Sequence, residues 1–238
     1  MRIQLITLGG LHVFGDAPEL ERLLSRRARA ALLIYLTIER RVSREALTAM
    51  FWPESDGPRT RHALRQSLYH LRKTLDCGDW IVARAHELIV CGDITADAVA
   101  FSDAVERGDA ERAVRLYHGP FLDGVHLVDR SAWESWVDTR RTRYARQFRK
   151  ACREVFERRM SAGDVAGAIT VAECWLAPDP TDDEAQHRLI AALAAAGERA
   201  DAIRQYEAYA RLLALDGLEP LEGTRALVDQ TRTIAWTH

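Results

Sequence analysis

The chain has 238 residues, of which 47% are hydrophobic and 29% charged, a composition typical of a soluble globular protein with one or two domains. No apolar stretch approaches the roughly 18 residues that a membrane helix needs, and the N-terminus lacks a secretory signal, so we expect a cytoplasmic protein without a membrane partner. The four cysteines have neither metal-ligand nor disulfide-framework spacing. The net charge of −2 argues against a nucleic-acid partner only if charge is spread evenly along the chain.

Charge and composition both change near residue 95. Residues 1–95 contain 14 Lys+Arg and 11 Asp+Glu, whereas residues 96–238 contain 19 and 24. The first part begins with alternating β-prone runs, and the second is rich in Ala, Leu, Arg and Glu at helical spacing. We therefore predict two domains, residues 1–95 and residues 96–238, of which only the first has an excess of positive charge.

The first domain begins with a hairpin and two helices. Alternating apolar residues on both sides of Gly9-Gly10 predict a β-hairpin within residues 3–14. Ser25 is the predicted N-cap of a first helix that continues to about residue 40, and Ser43 caps a second helix that stops at Trp52-Pro53.

A third helix and a second hairpin complete the first domain. Helical spacing of leucines predicts the helix over residues 59–75. Two short β-prone segments within residues 80–90 follow, with Arg84 and His86 at the turn between them. Strands, three helices and a hairpin in this order predict an α+β winged helix with an N-terminal sheet.

The third helix has a positive face that no acidic residue of the same helix compensates. Leu64, Leu68, Leu71 and Leu75 form an apolar stripe that faces a core. Residues 57–75 contain five Lys+Arg and no Asp or Glu. At about 1.5 Å per residue the helix is roughly 25 Å long, enough to lie in a major groove. A charged face is most often simply solvated, but the sign, the length and the following hairpin together favour DNA binding.

Residue chemistry assigns roles on this face. Arg65 and Gln66 can each make paired hydrogen bonds to a base edge, whereas Lys73 and the flanking arginines are suited to phosphates. The N-terminal end of such a helix usually meets the bases, and the hairpin tip can reach the backbone or a neighbouring groove. The predicted DNA-binding residues are Arg59, Arg61, His62, Arg65, Gln66, Tyr69, His70, Arg72, Lys73, Arg84 and His86.

Other arginines compete for the same role. Arg26, Arg27 and Arg29 begin the first helix, where either phosphate or a salt bridge to Glu19 or Glu21 fits. The most basic stretch of the chain, residues 140–150, lies in the acidic part, which favours intramolecular pairing with Asp or Glu over a direct DNA contact.

The second domain contains an internal repeat. Residues 162–169 resemble residues 196–203 at an offset of 34 residues, the tetratricopeptide period, and residues 107–114 are a weaker third copy. We therefore predict an all-α, tetratricopeptide-like helical repeat domain. The Trp133/Trp136 and Tyr206/Tyr209 pairs fit a core better than a peptide groove. No catalytic motif or metal-ligand histidine spacing is found, so we expect neither an enzyme nor a cofactor.

These features together resemble the Streptomyces antibiotic regulatory protein type of transcriptional regulator, over about residues 2–233. The resemblance rests on residues 26–36, 42–47, 51–53, 61–73, 119–122, 133–136 and 218–220 and on the Gly-Asp and Gly-Glu repeats. It implies an OmpR-like winged helix followed by a bacterial transcriptional activator domain. It also implies that more than one protomer, as a homodimer or side by side, binds repeated promoter elements and that activation proceeds by contact with RNA polymerase.

Two other functions remain open at this point. A tetratricopeptide adaptor or scaffold would act through protein–protein contacts of residues 97–233 and would not bind DNA. A ligand-gated regulator would hold a small molecule in the repeat domain, although no cluster of residues identifies one. Salt dependence separates DNA binding from the adaptor function, because counterion release accompanies only the former.

Overall fold

The computed structural model describes residues 3–15, 23, 26–53, 57–75, 80–92, 94–127 and 131–234. The described elements are β1 (Ile3–Ile6), β2 (His12–Phe14), α1 (Arg27–Glu39), β3 (Arg41–Ser43), α2 (Arg44–Phe51), α3 (Gly57–Leu75), β4 (Ile81–Ala83), β5 (Glu87–Val90), β6 (Ile94–Ala96), α4 (Asp97–Glu106), α5 (Ala110–Leu116), α6 (Ser131–Ser161), α7 (Val165–Leu176), α8 (Asp183–Ala195), α9 (Arg199–Ala214) and α10 (Glu222–Ile234).

Packing divides the chain into two compact units. Unit 1 comprises Met1–Asp103 and Gly119–Tyr144, and unit 2 comprises Ala104–His118 and Ala145–His238. The predicted domain boundary at residue 95 therefore lies within unit 1. The sequence predicts Gly119–Tyr144 in the second domain, whereas in the structure this segment belongs to unit 1. Backbone hydrogen bonds and aromatic contacts join it to the N-terminal residues.

The N-terminal sheet has the strand order β2-β1-β6. The antiparallel pairing of β1 with β2 confirms the predicted first hairpin, with Leu5 opposite Val13. The parallel pairing of β6 with β1, which places Ile94 opposite Ile3, is not predicted from the sequence. Ile3, Leu5 and Ile94 are buried, so one face of this sheet contributes to the core.

The three predicted helices are present in unit 1. In α1 every residue from Ala30 to Thr37 is buried, so this helix forms the centre of the core. Arg26 is its N-cap and makes no side-chain cap bond, while Ser25, the predicted cap, lies outside the described residues. The Ser43 cap of α2 is confirmed, since its side chain accepts a hydrogen bond from the Ala46 N–H at 3.0 Å. The helix α3 begins two residues before the predicted start.

A second small sheet, of order β3-β5-β4, follows the helices. The β4–β5 pairing confirms the predicted second hairpin. The strand β3 is a difference from the prediction, which has no strand there; Val42 lies opposite Leu88 and both are buried. Three residues between two helices carry too little alternation to be recognised as a strand from sequence.

Residues 119–122 attach to the N-terminal sheet through the backbone. The Gly9 N–H donates to the Pro120 carbonyl at 3.1 Å, and the Leu122 N–H donates to the Thr7 carbonyl at 2.7 Å. Aromatic rings continue the contact, since the Trp133 ring lies 5.9 Å from the Phe51 ring and is fully buried. These interactions explain why this segment belongs to unit 1.

Unit 2 is built of helices whose turns repeat. Asp109 and Asp164 are the N-caps of α5 and α7, and each side chain accepts a hydrogen bond from the N–H three residues later. The residue before Asp164 is Gly163, whose φ of 76° lies in the left-handed region that favours glycine. The same glycine recurs as Gly197 with φ of 84°, before Glu198, which makes no cap bond. The predicted helical repeat is therefore present.

The aromatic residues of the repeats are packed inside. Trp175 and Tyr209 are almost fully buried, and the Tyr209 hydroxyl donates to the Asp183 carboxylate. Burial and this carboxylate raise the pKa of the Tyr209 hydroxyl. The Tyr117 ring stacks on Phe148 at 4.2 Å, and burial raises the pKa of Tyr117 to about 12. The interpretation of the Trp133/Trp136 and Tyr206/Tyr209 pairs as core agrees with the burial of Trp133 and Tyr209, whereas Trp136 and Tyr206 are half-buried.

None of the described helices combines the length and the apolarity that crossing a bilayer requires.

Candidate nucleic-acid interface

Helix α3 has two chemically different sides. Leu64, Leu68, Leu71 and Leu75 are all at most 8% exposed, which confirms the predicted apolar stripe. The remaining face of α3 is polar and turned to solvent. The predicted residues that are exposed on this helix are Arg59, Arg61, His62, Arg65, Gln66, Tyr69, Arg72 and Lys73.

The aromatic and imidazole groups near the middle of α3 form a small cluster. Tyr69 is 62% exposed, the largest apolar surface on this face. Its ring centroid lies 5.7 Å from that of His70, which is half-buried. An exposed tyrosine next to cations offers a flat ring and a hydroxyl, both of which suit contacts to sugar and phosphate.

The positive charges of α3 are not compensated by ion pairs within the described residues. Among the described residues, no carboxylate forms a salt bridge with Arg59, Arg61, Arg65, Arg72 or Lys73. The guanidinium of Arg72 donates to the carbonyl of Ile81 at 3.0 Å, which joins α3 to the strand β4. Because a carbonyl is a neutral acceptor, this hydrogen bond orients Arg72 without cancelling its charge.

The hairpin tip places Arg84 and His86 in solvent, as predicted. The Arg84 N–H donates to the Glu87 carbonyl at 2.9 Å and closes the turn, and the Arg44 N–H donates to the His86 carbonyl at 2.9 Å. The Arg84 guanidinium also lies 3.6 Å from the Glu87 carboxylate, an exposed ion pair. Arg84 is therefore partly neutralised, unlike the cations of α3.

Strand β3 adds a cation that the sequence prediction missed. Arg41 is 67% exposed at its side chain, and its Nε lies 3.7 Å from the Glu87 carboxylate. Pairing of β3 with β5 brings Arg41 and Arg84 to the same carboxylate. The sequence signal for this strand is limited to one polar–apolar–polar alternation, Arg41-Val42-Ser43.

The most basic stretch is largely occupied by partners. Arg140 pairs with Glu39 at 2.5 Å, and the Glu39 carboxylate also accepts from the Trp136 indole N–H at 2.7 Å. The Arg141 guanidinium donates to the carbonyls of Phe121 and Leu122 and pairs with Asp138. Arg149 pairs with Asp182 at 3.0 Å. The prediction of intramolecular pairing is confirmed for Arg140, Arg141 and Arg149.

For the arginines at the start of α1, both predicted roles, a phosphate contact or a salt bridge to Glu19 or Glu21, stay open. Arg26 and Arg27 are exposed and Arg29 is half-buried, and none of them forms a salt bridge with another described residue. Glu19 and Glu21, the predicted partners, lie outside the described residues.

The described residues also contain no group of three or more His, Cys, Asp or Glu arranged to hold a metal ion.

Comparison with known proteins identifies the family. The family described as bacterial transcriptional activator domain matches residues 83–232, more than half of the chain. The chain belongs to this family. The description of this family places the chain among transcriptional activators. The match begins within β4, so α3 lies outside the matched residues.

A solved structure with a similar fold aligns with nearly the whole chain. Mycobacterium tuberculosis EmbR, in complex with a low-affinity phosphopeptide, aligns with 98% of this chain at a TM-score of 0.60 and 21% sequence identity. The chain spans 65% of the length of that protein. No curated protein sequence matches the chain significantly.

Proposed function

We propose that the chain is a sequence-specific DNA-binding transcriptional activator of the Streptomyces antibiotic regulatory protein type, with an OmpR-like winged helix in unit 1. The observation that carries this proposal is the polar face of α3, a helix of 19 residues with exposed cations and no acidic residue. Membership of the activator family supports the regulatory part of the proposal. The order of α1, α2, α3 and the β4–β5 hairpin supports the winged-helix part.

In this proposal α3 enters the major groove and reads bases through Arg65 and Gln66. An arginine fork matches the two acceptors of guanine, and a glutamine amide matches the acceptor and donor of adenine. Lys73 and Arg72, at the C-terminal end of the helix, bind phosphates and fix the register. The hairpin tip, with Arg84 and His86, contacts the backbone beside the groove.

The proposal extends to the assembly at the promoter. Binding to repeated elements requires more than one protomer, either as a homodimer or side by side, and activation requires contact with RNA polymerase. These statements rest on the resemblance of the chain to its regulator type and on family membership. The residues of unit 2, rich in exposed acidic side chains, suit protein contacts better than contact with DNA.

Selection of bound sequences from a random DNA pool tests the proposal directly. We expect one enriched motif, present as a repeat when long fragments are selected. Arg65→Ala and Gln66→Ala should each weaken binding to that motif by about 1–3 kcal/mol and relax the preference at one base position. Arg107→Ala is the matched control. Arg107 is an exposed arginine in the turn after α4, so its replacement removes the same charge at a site outside α3. Unchanged affinity in both α3 variants would refute the assignment of this helix.

The alternative function, a tetratricopeptide adaptor, is favoured by the repeated helix pairs of unit 2. The two functions differ in salt dependence. About five phosphate contacts give a slope near −4 to −5 in log K against log salt concentration, whereas an adaptor would bind its protein partner almost independently of salt and would not retain DNA.

A further inference from the structure

Exposed apolar side chains are concentrated at one turn of unit 2. The described residues include six exposed large apolar side chains, and three of these, Leu215, Leu218 and Leu221, lie between α9 and α10 with 81%, 58% and 59% exposure. The other three all lie in unit 1, Phe14 on β2, Tyr69 on the polar face of α3 and Val82 on β4. The leucines therefore form a separate exposed group within seven consecutive residues. A single exposed leucine on a protein surface is ordinary, whereas a cluster of them marks an interaction site.

The backbone of this turn is fixed. The Leu218 N–H donates to the Leu213 carbonyl at 3.0 Å, and the Gly217 N–H donates to the Ala214 carbonyl at 3.2 Å. With Gly217 at a φ of 70°, this is the Schellman pattern of helix termination, in which the residue after the glycine usually packs back on the helix. Leu218 is instead mostly exposed, while Pro220 is buried and anchors the turn. A fixed turn loses little conformational entropy on binding a partner.

Acidic residues alternate with the leucines. Asp216, Glu219 and Glu222 stand between and beside them, and residues 212–224 contain no Lys, Arg or His. Glu219 pairs with Arg225 at 3.0 Å, and the other two carboxylates have no ion-pair partner among the described residues. Carboxylates are repelled by nucleic-acid phosphates and by anionic lipid headgroups. The complementary surface is therefore a protein segment with apolar and basic side chains.

We propose that residues 215–222, here named the acidic leucine turn, dock an amphipathic helix of another protein that carries Lys or Arg beside an apolar stripe. A helix of this kind offers apolar anchors with basic side chains beside them, which complements exposed leucines that alternate with carboxylates. The inference rests on the proposed function, because it assigns the surface by which a DNA-bound activator holds its protein partner.

A peptide titration with the full chain tests this inference. The probe is a fluorescent peptide of about 20 residues, helical, with Leu along one face and Lys and Arg along its flanks. The triple variant Leu215→Ala, Leu218→Ala, Leu221→Ala should weaken binding by about tenfold or more. The variant Asp216→Asn, Glu219→Gln, Glu222→Gln should weaken binding and make it less dependent on salt. Phe14→Ala is the matched control, since Phe14 is 60% exposed and lies in unit 1.

The outcomes separate the inference from the proposed function. Peptide affinity that is equal in wild type and both triple variants overturns the inference. The inference is also overturned if the leucine variant leaves peptide affinity unchanged but abolishes another interaction. Loss of self-association in sedimentation velocity would assign the turn to a second copy of the chain. Loss of binding to phosphatidylglycerol vesicles would assign it to a lipid surface. DNA affinity is measured on the same proteins and should be unchanged in both variants. If wild type binds the peptide but selects no DNA, the proposed function fails while the docking surface stands.

Discussion

Replacement of Asp97 by alanine should strongly destabilise unit 1. The Asp97 carboxylate is 5% exposed and accepts four hydrogen bonds, from the Thr7 N–H at 2.8 Å, the Thr7 hydroxyl at 2.6 Å, the Leu8 N–H at 3.0 Å and the Ala98 N–H at 2.8 Å. The alanine variant leaves these donors buried without an acceptor, at about 1–3 kcal/mol each. Because such losses are not additive, we expect the free energy of unfolding to fall by about 3–5 kcal/mol.

Urea unfolding followed by tryptophan fluorescence measures this loss. Trp80 and Trp133 are buried in unit 1 and report on its unfolding. Asp97→Asn should be intermediate, because its amide keeps one oxygen acceptor but turns an N–H₂ group towards a backbone donor. The matched control is Asp103→Ala, an exposed aspartate on the same helix, which should change the free energy by less than about 0.5 kcal/mol. Equal stability of the Asp97 and Asp103 alanine variants would show that the buried hydrogen bonds are not what joins β1 to α4.

Three further predictions concern charge. Lys73→Ala should lower the slope of log K against log salt by about 0.9, measured by DNA titration at several salt concentrations, and an unchanged slope would remove Lys73 from the phosphate contacts. Glu87→Gln should strengthen DNA binding a few-fold, because it releases the two arginines that its carboxylate contacts, and Glu45→Gln, an exposed carboxylate on α2, serves as control. The hydrogen bond from Arg153 lowers the pKa of Glu184 in the folded state, so its stabilising contribution is present above the unfolded pKa and is lost as pH falls through the folded value. Glu184→Gln should therefore reduce the dependence of the melting temperature on pH in the acidic range, and a dependence equal to that of wild type would contradict the assignment.

The parts of the fold that local chemistry determines could be predicted from the sequence. Gly9-Gly10 between alternating runs indicates a hairpin, Ser43 and Trp52-Pro53 delimit α2, and the leucine spacing of α3 identifies its buried side. Each signal depends on residues within a few positions of one another. The helical repeat of unit 2 is likewise visible, because the motif of residues 162–169 recurs 34 positions later in residues 196–203.

Long-range pairing could not be predicted in the same way. Strand β6 is three residues long and pairs with β1 about 90 positions earlier, and nothing in residues 94–96 specifies that neighbour. Packing of residues 119–144 on unit 1 depends on contacts such as Trp133 with Phe51, whose partners lie far apart in sequence. A change in composition marks where the helical part begins, whereas packing decides which unit a segment joins.

The same distinction applies to the cations of the candidate interface. Helical spacing predicts that Arg72 is exposed on α3, and Arg84 is predicted at a hairpin tip, so the sequence treats the two as equivalent. In the structure Arg72 donates to a neutral carbonyl of Ile81, whereas Arg84 lies beside the Glu87 carboxylate. A phosphate that approaches Arg84 must first compete with this carboxylate, while one that approaches Arg72 meets an oriented guanidinium with its full charge. The α3 end of the interface should therefore contribute more to the salt dependence of DNA binding than the hairpin tip.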